Sequence, residues 1–163
     1  PSLTYFYLDA SAWVKRYHTE SGSDLINMIF QKTTGFKRII TSLWSFGETF
    51  ATLNRNKNRF NIPEEDFNKI AFALFTDCEN LHLLPLSDNQ LFKALLYIRK
   101  YNLNSADAYH LSAVLELKET LASINHSVTL ISSDERLIRA SKNEDINVFD
   151  PENDTSSHLQ RLL

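Results

Sequence analysis

Short β-rich runs alternate with longer helical patterns along the whole chain, and this alternation restricts the fold more than any other feature. The runs TYFYLDA (4–10), KRIITSL (37–43), LHLLPL (81–86), VTLISS (128–133) and INVFD (146–150) read as strands, because β-branched and aromatic residues cluster there in short segments bounded by turn formers. Between them the apolar residues recur at helical spacing. SAWVKRYHTE follows the first strand, and SDLINMIFQKTTG carries Leu25, Ile26, Met28, Ile29 and Phe30 before Gly35. WSFGETFATLNRNKNRF places Phe46, Phe50 and Leu53 on one side, and a second helix opens at Pro63 with Glu64, Glu65 and Asp66 in its first turn, where acidic side chains complement the helix dipole. Ser87 and Gln90 form a capping box for DNQLFKALLYIRKY, Asn104 or Ser105 caps ADAYHLSAVLELKETL, and Ser132 and Ser133 are positioned to cap DERLIRASKN. Strands joined through helices pair in parallel and are covered on both faces. The expected fold is therefore α/β, a three-layer α/β/α sandwich with a mainly parallel central sheet.

At 163 residues, 43% of them hydrophobic and including 11 Phe and 6 Tyr, the chain has core material for one domain over residues 1–151, with 152–163 as a loose tail or a short docking helix. A single cysteine, Cys78, excludes an internal disulfide and reads as a small residue at the core boundary. PSLTYFYLDAS lacks the basic start of a secretory signal, and no stretch approaches the roughly 18 apolar residues of a membrane span. A soluble protein in a reducing, cytoplasmic setting, with no membrane partner, is expected. Three glycines leave no room for a phosphate-cradling GxGxxG or P-loop.

Four carboxylates stand where strands give way to helices or inside an apolar helix: Asp9, Glu48, Asp107 and Asp134. In an open α/β sheet, ligands gather outside the carboxyl ends of the strands. Acids from distant segments would meet there and require a cation. Each has an ordinary explanation alone. Asp9 is a good helix opener, Asp107 is unremarkable in a first turn, as is Asp134 after two serines, and Glu48 between Phe46 and Phe50 would be satisfied by an arginine. The net charge of −3 offers no global attraction to nucleic acid, although bound divalent cations would reverse the local sign. Local cations follow the acidic motifs: Lys15 and Arg16, then Arg55, Lys57 and Arg59, then Arg136 and Arg139.

The segments YLDASAWVKRY, SLWSFGETFATLNR, LNSADAYHLSAVL and LISSDERLIRAS with INVFDP, in that order over residues 5–151, resemble the PIN-domain ribonucleases, and within them the VapC-type toxins of toxin-antitoxin pairs. The resemblance implies that Asp9, Glu48, Asp107 and Asp134 are the metal-binding and catalytic acids of an endoribonuclease, and that Ser132 supports the last of them, Asp134, and the water network around it. It also implies a small antitoxin as partner, a homodimer, and RNA as substrate. Two features depart from the family's pattern: KETLASINHS is long, and Asn143, Glu144 and Asp145 stand where a glycine is common before the last strand.

Oxygen ligands suit Mg2+ or Mn2+. The five histidines show no zinc-ligand spacing, and His110, three residues after Asp107, shares its helix face as a packing or substrate-adjacent residue. Arg55, seven residues after Glu48, is the candidate phosphate clamp. A haloacid dehalogenase-like phosphohydrolase needs a second aspartate where this chain has Ser11, and the paired acids of a response-regulator receiver are missing. A PIN-like module that binds nucleic acid or protein without cutting remains the alternative.

Overall fold

The computed structural model describes residues 1–33, 35 and 37–163. Five parallel strands form one sheet in the order β3-β2-β1-β4-β5: β1 (Thr4–Leu8), β2 (Ile39–Ser42), β3 (His82–Leu84), β4 (Ser127–Ile131) and β5 (Asn147–Phe149). This is the sandwich expected from the alternation. Of the expected second helix, SDLINMIFQKTTG, the position Thr34 lies outside the described residues.

The two faces of β1 follow its period of two. Phe6 and Leu8 join a core with Trp13, Ile26, Ile29, Leu53, Phe67, Leu74 and Phe149. That core is closed by α1 (Ala10–Trp13), α2 (Ser23–Thr33), α3 (Leu43–Phe60) and α4 (Glu64–Cys78). Tyr7 turns the other way, into a core with Ala94, Ala108, Leu111, Val114, Leu130 and Leu137. This second layer consists of α5 (Asp88–Tyr101), α6 (Ser105–Ser123) and α7 (Glu135–Asn143). Each large side chain fully withdrawn from water here contributes about 1.5–3 kcal/mol.

Local chemistry sets the boundaries. Ser87 and Gln90 make the expected capping box of α5, and Asn104 caps α6. The cap of α7 corrects the sequence reading: Asp134 itself accepts from Arg136 N and Leu137 N, while Ser132 is turned inward. The segment after Trp13 also departs from a solvated helix. It tightens into a 3-10 turn over Val14–Arg16 that buries Lys15 against Glu20 and Glu152. Asp145, with φ 56, takes the left-handed position after α7 that a glycine would fill more easily. The long segment after the third motif is absorbed by α6, which runs to Ser123 and is followed by Asn125 at φ 60.

Residues 152–163 are not loose. They form α8 (Ser156–Leu162), capped by Thr155, with Leu159 buried in the first core. Gly22 is needed where this end of the chain passes: its φ is +87, and a Cβ would sit 2.6 Å from the Pro151 carbonyl oxygen.

Candidate functional site

The strand order decides which acids become neighbours. β1 pairs with β4 in the register Leu8↔Ile131, so the residues that leave these strands, Asp9 and Ser132, emerge side by side. Asp9 is buried. Its Oδ1 accepts from Ala12 N at 2.9 Å and from Ser11 Oγ at 2.7 Å, and its Oδ2 accepts from Ser132 Oγ at 2.5 Å. Ser132 Oγ in turn accepts from Asp134 N at 3.0 Å, so one hydroxyl ties the two strand ends together. Burial raises the Asp9 carboxyl above the usual carboxylate range, against the opposing effects of His110 and of the donors on Ser132, Ser11 and Ala12.

Asp107 sits in the first turn of α6, where Asn104 Nδ2 donates to its Oδ2 at 2.8 Å. Burial, then the charge of Asp134, pushes its carboxyl up to about 6. Asp9 and Glu48 add to the rise and His110 opposes it. Asp107 therefore feels each of the other three acids singled out in the sequence.

Glu48 is held by a histidine, not by the arginine expected for a structural pair. His110 Nε2 lies 2.8 Å from Glu48 Oε1, and His110 Nδ1 lies 3.0 Å from the Tyr7 hydroxyl. A carboxylate oxygen can only accept, so Nε2–H donates to Glu48. Burial holds the Tyr7 hydroxyl well above its ordinary value. Tyr7 escaped the sequence reading; the signal available was its alternation onto the α6 side of β1, with His110 one turn past Asp107.

Among the described residues, no three carboxylate, imidazole or thiolate groups converge closely enough to hold a cation as the side chains lie. Asp9 faces Ser132 and Ser11, Asp107 faces Asn104, Asp134 caps α7, and Glu48 faces His110. The donor set nevertheless fits a hard divalent ion. Every candidate ligand is a carboxylate oxygen, and Asp107, raised first by burial, is raised further by repulsion from Asp134, Asp9 and Glu48 that a cation would relieve.

The cations near the motifs divide. Lys15 is buried and engaged: burial lowers its pKa, but Glu152 and Glu20 more than offset this and hold it above its ordinary value. Arg16 pairs with Asp77, and Lys57 with Glu64. Arg55 is exposed and donates to Thr52 Oγ1 at 2.8 Å. Among the described residues, Arg59, Arg136 and Arg139 have no carboxylate within ion-pair distance. Arg59 lines a groove of about 430 Å³ that also includes Ser11, Ser133, Asp134, Thr52 and Phe60, so the groove opens beside Asp134. Cys78 is half-buried, and burial and Asp77 push its thiol up to about 11, which makes it a poor nucleophile.

The sequence profile of the PIN domain matches residues 6–143. No curated protein matches the sequence. PAE2754 from Pyrobaculum aerophilum is similar in structure, with a TM-score of 0.65 at 16% identity over 98% of this chain and 97% of that one. VapC20 from Mycobacterium tuberculosis, a sarcin-ricin loop cleaving toxin, gives 0.60 at 12% identity over 83% of this chain and 94% of that one. VapBC2 from Rickettsia felis, bound to a DNA fragment from its promoter, gives 0.57 at 13% identity over 90% of this chain and 98% of that one. At such identities the likeness is one of fold.

Proposed function

The chain belongs to the PIN domain family, and from that premise we propose that it is a Mg2+- or Mn2+-dependent endoribonuclease, the toxin of a toxin-antitoxin pair. One observation carries the reading: Asp9, Glu48, Asp107 and Asp134 come from four separate elements, and Asp107, raised to about 6 first by burial, is raised further by the charges of the other three. Acids crowded in this way at the strand ends of a parallel sheet are suited to a cation and a phosphate.

In this reading Asp9, Asp107 and Asp134 hold the ion and Glu48 completes its surroundings. A divalent cation, when bound, supplies charge neutralisation and Lewis acidity at the scissile phosphate. The chain's own groups do the rest. Ser132 orients Asp9 from below and fixes the backbone of Asp134. His110, anchored by Tyr7, aims the Glu48 carboxylate. Arg59 at the groove, with Arg136 at the start of α7 and Arg55 on α3, offers charge to the RNA backbone. Residues 1–151 form the nuclease unit, to which α8 of the tail is docked.

The likeness to VapC20 and to VapBC2 supports extending the proposal to an RNA substrate and a small antitoxin, and the resemblance carried by the sequence motifs extends it to a homodimer in the cytoplasm. Two exposed apolar faces are available to such partners, Phe72 and Phe75 on α4, and Phe92, Leu95 and Leu96 on α5. No helix among the described residues is long and apolar enough to cross a membrane.

The test is cleavage of labelled total RNA by the purified protein with magnesium, manganese or chelator, beside Asp9→Asn. Metal-dependent fragments that vanish in the variant are expected. Cutting by Asp9→Asn at the parental rate would overturn the site, and no cutting with any metal would favour a module that binds without cleaving.

A further inference from the structure

We propose that Phe60 and His18 form a stacking platform for one unpaired base of a single-stranded RNA, placed in the groove beside the acidic site; this deepens, and rests on, the nuclease reading. The two rings are stacked, with centroids 5.5 Å apart and planes 17° from parallel. Phe60 is the last residue of α3, is 50% exposed, and belongs to neither hydrophobic core. Leu53 and Phe67 belong to the first core, and Phe60 does not. An aromatic ring that packs no core, yet is held in a stack at the lip of a groove, is arranged for a flat ligand.

The groove says which flat ligand. Its wall is shared with Asp134, Ser133 and Ser11, the last of which donates to Asp9, so whatever lies in the groove with Phe60 adjoins one acid and the serine that holds a second. Arg59 holds its guanidinium over the Phe60 ring, 5.2 Å from its centre and with no carboxylate partner among the described residues, so an incoming base displaces it from the ring and its charge becomes free for the phosphate. Glu20 and Glu152 line the same groove and share the single buried Lys15. That excess of acceptors repels phosphate and accepts from an exocyclic amino group. The base therefore enters the groove and its phosphate stays with Arg59. A base can reach such a ring only when unstacked from its neighbours, which selects single strands, loops and bulges over continuous duplex.

The proposal is tested by fluorescence anisotropy, using a 5′-labelled single-stranded heptaribonucleotide of mixed sequence and the same strand annealed in a duplex. The protein carries Asp9→Asn in magnesium, so that nothing is cut. Phe60→Leu keeps apolar bulk without the flat ring and is expected to weaken single-strand binding about tenfold, while Phe60→Trp restores it and duplex binding stays unchanged. Melting temperatures within about 2 °C of the parent show that Phe60 carries no folding role. Single-strand binding by Phe60→Leu equal to the parent overturns the platform and leaves the nuclease reading standing. Failure of the parent to bind either RNA overturns both.

Discussion

The Ser132 hydroxyl donates to Asp9 Oδ2 at 2.5 Å across 123 residues of sequence, and the same oxygen accepts from the backbone of Asp134. One fully buried hydroxyl thus joins the ends of β1 and β4 and positions two of the candidate ligands. Ser132→Ala leaves a buried carboxylate oxygen and a partly buried amide each short of a partner. A loss of about 1–3 kcal/mol in urea unfolding is expected, with cleavage reduced alongside it. Unchanged stability would mean that water replaces the hydroxyl.

Asp107 makes stability depend on pH with a definite sign. Its folded value of about 6 lies above the ordinary 3.8, so the native state binds the proton more tightly than the unfolded chain does. Stability from this group is present below 3.8, is lost as pH rises to about 6, and stays lost above that. Asp107→Asn should therefore be more stable than the parent at pH 7, by about 1–2 kcal/mol once solvent screening is discounted, and equal to it near pH 3. Thermal melts at the two pH values check this, and a variant less stable at pH 7 would contradict it.

The same crowding predicts a metal effect. Millimolar magnesium or manganese should raise the melting temperature at pH 7.5, because a ligand that binds only the native state stabilises it. The rise should fade as pH falls through about 6, where protons compete for Asp107. Asp107→Asn should show little shift at either pH.

Tyr7, His110 and Glu48 form a chain of hydrogen bonds from the buried sheet to the surface of α3. In a double-mutant cycle, Tyr7→Phe and His110→Ala should be non-additive by at least about 0.5 kcal/mol. His110→Ala should cost more alone, since it strands the Tyr7 hydroxyl and frees Glu48 at once. Additive effects in urea unfolding would mean that the contacts act independently.

Gly22→Ala is expected to destabilise by about 2 kcal/mol or more, because the position has φ +87 and the new methyl would meet the Pro151 carbonyl at 2.6 Å. Calorimetry measures the drop, which should shrink when the chain is truncated before Pro151.

What could be read from the sequence was local. Short clusters of β-branched and aromatic residues, and helical spacing between them, determined five strands and their intervening helices. Ser87, Gln90 and Asn104 marked helix starts, because capping is decided within three or four residues. The acids were visible as well, since a carboxylate at a strand end needs no tertiary contact to be noticed. What surrounds them was not. The order β3-β2-β1-β4-β5 is a matter of long-range pairing, and it alone puts Asp9 against Ser132.

The rotation of docked helices decided the remainder. It gave Glu48 to His110, buried Lys15 between two glutamates, and set Arg59 on the groove where the sequence had pointed to Arg55. A helical pattern specifies which side of a helix is apolar, but not which polar neighbour the opposite side will meet. That choice is made by packing two cores at once around a twisted sheet, and no window of sequence contains both partners.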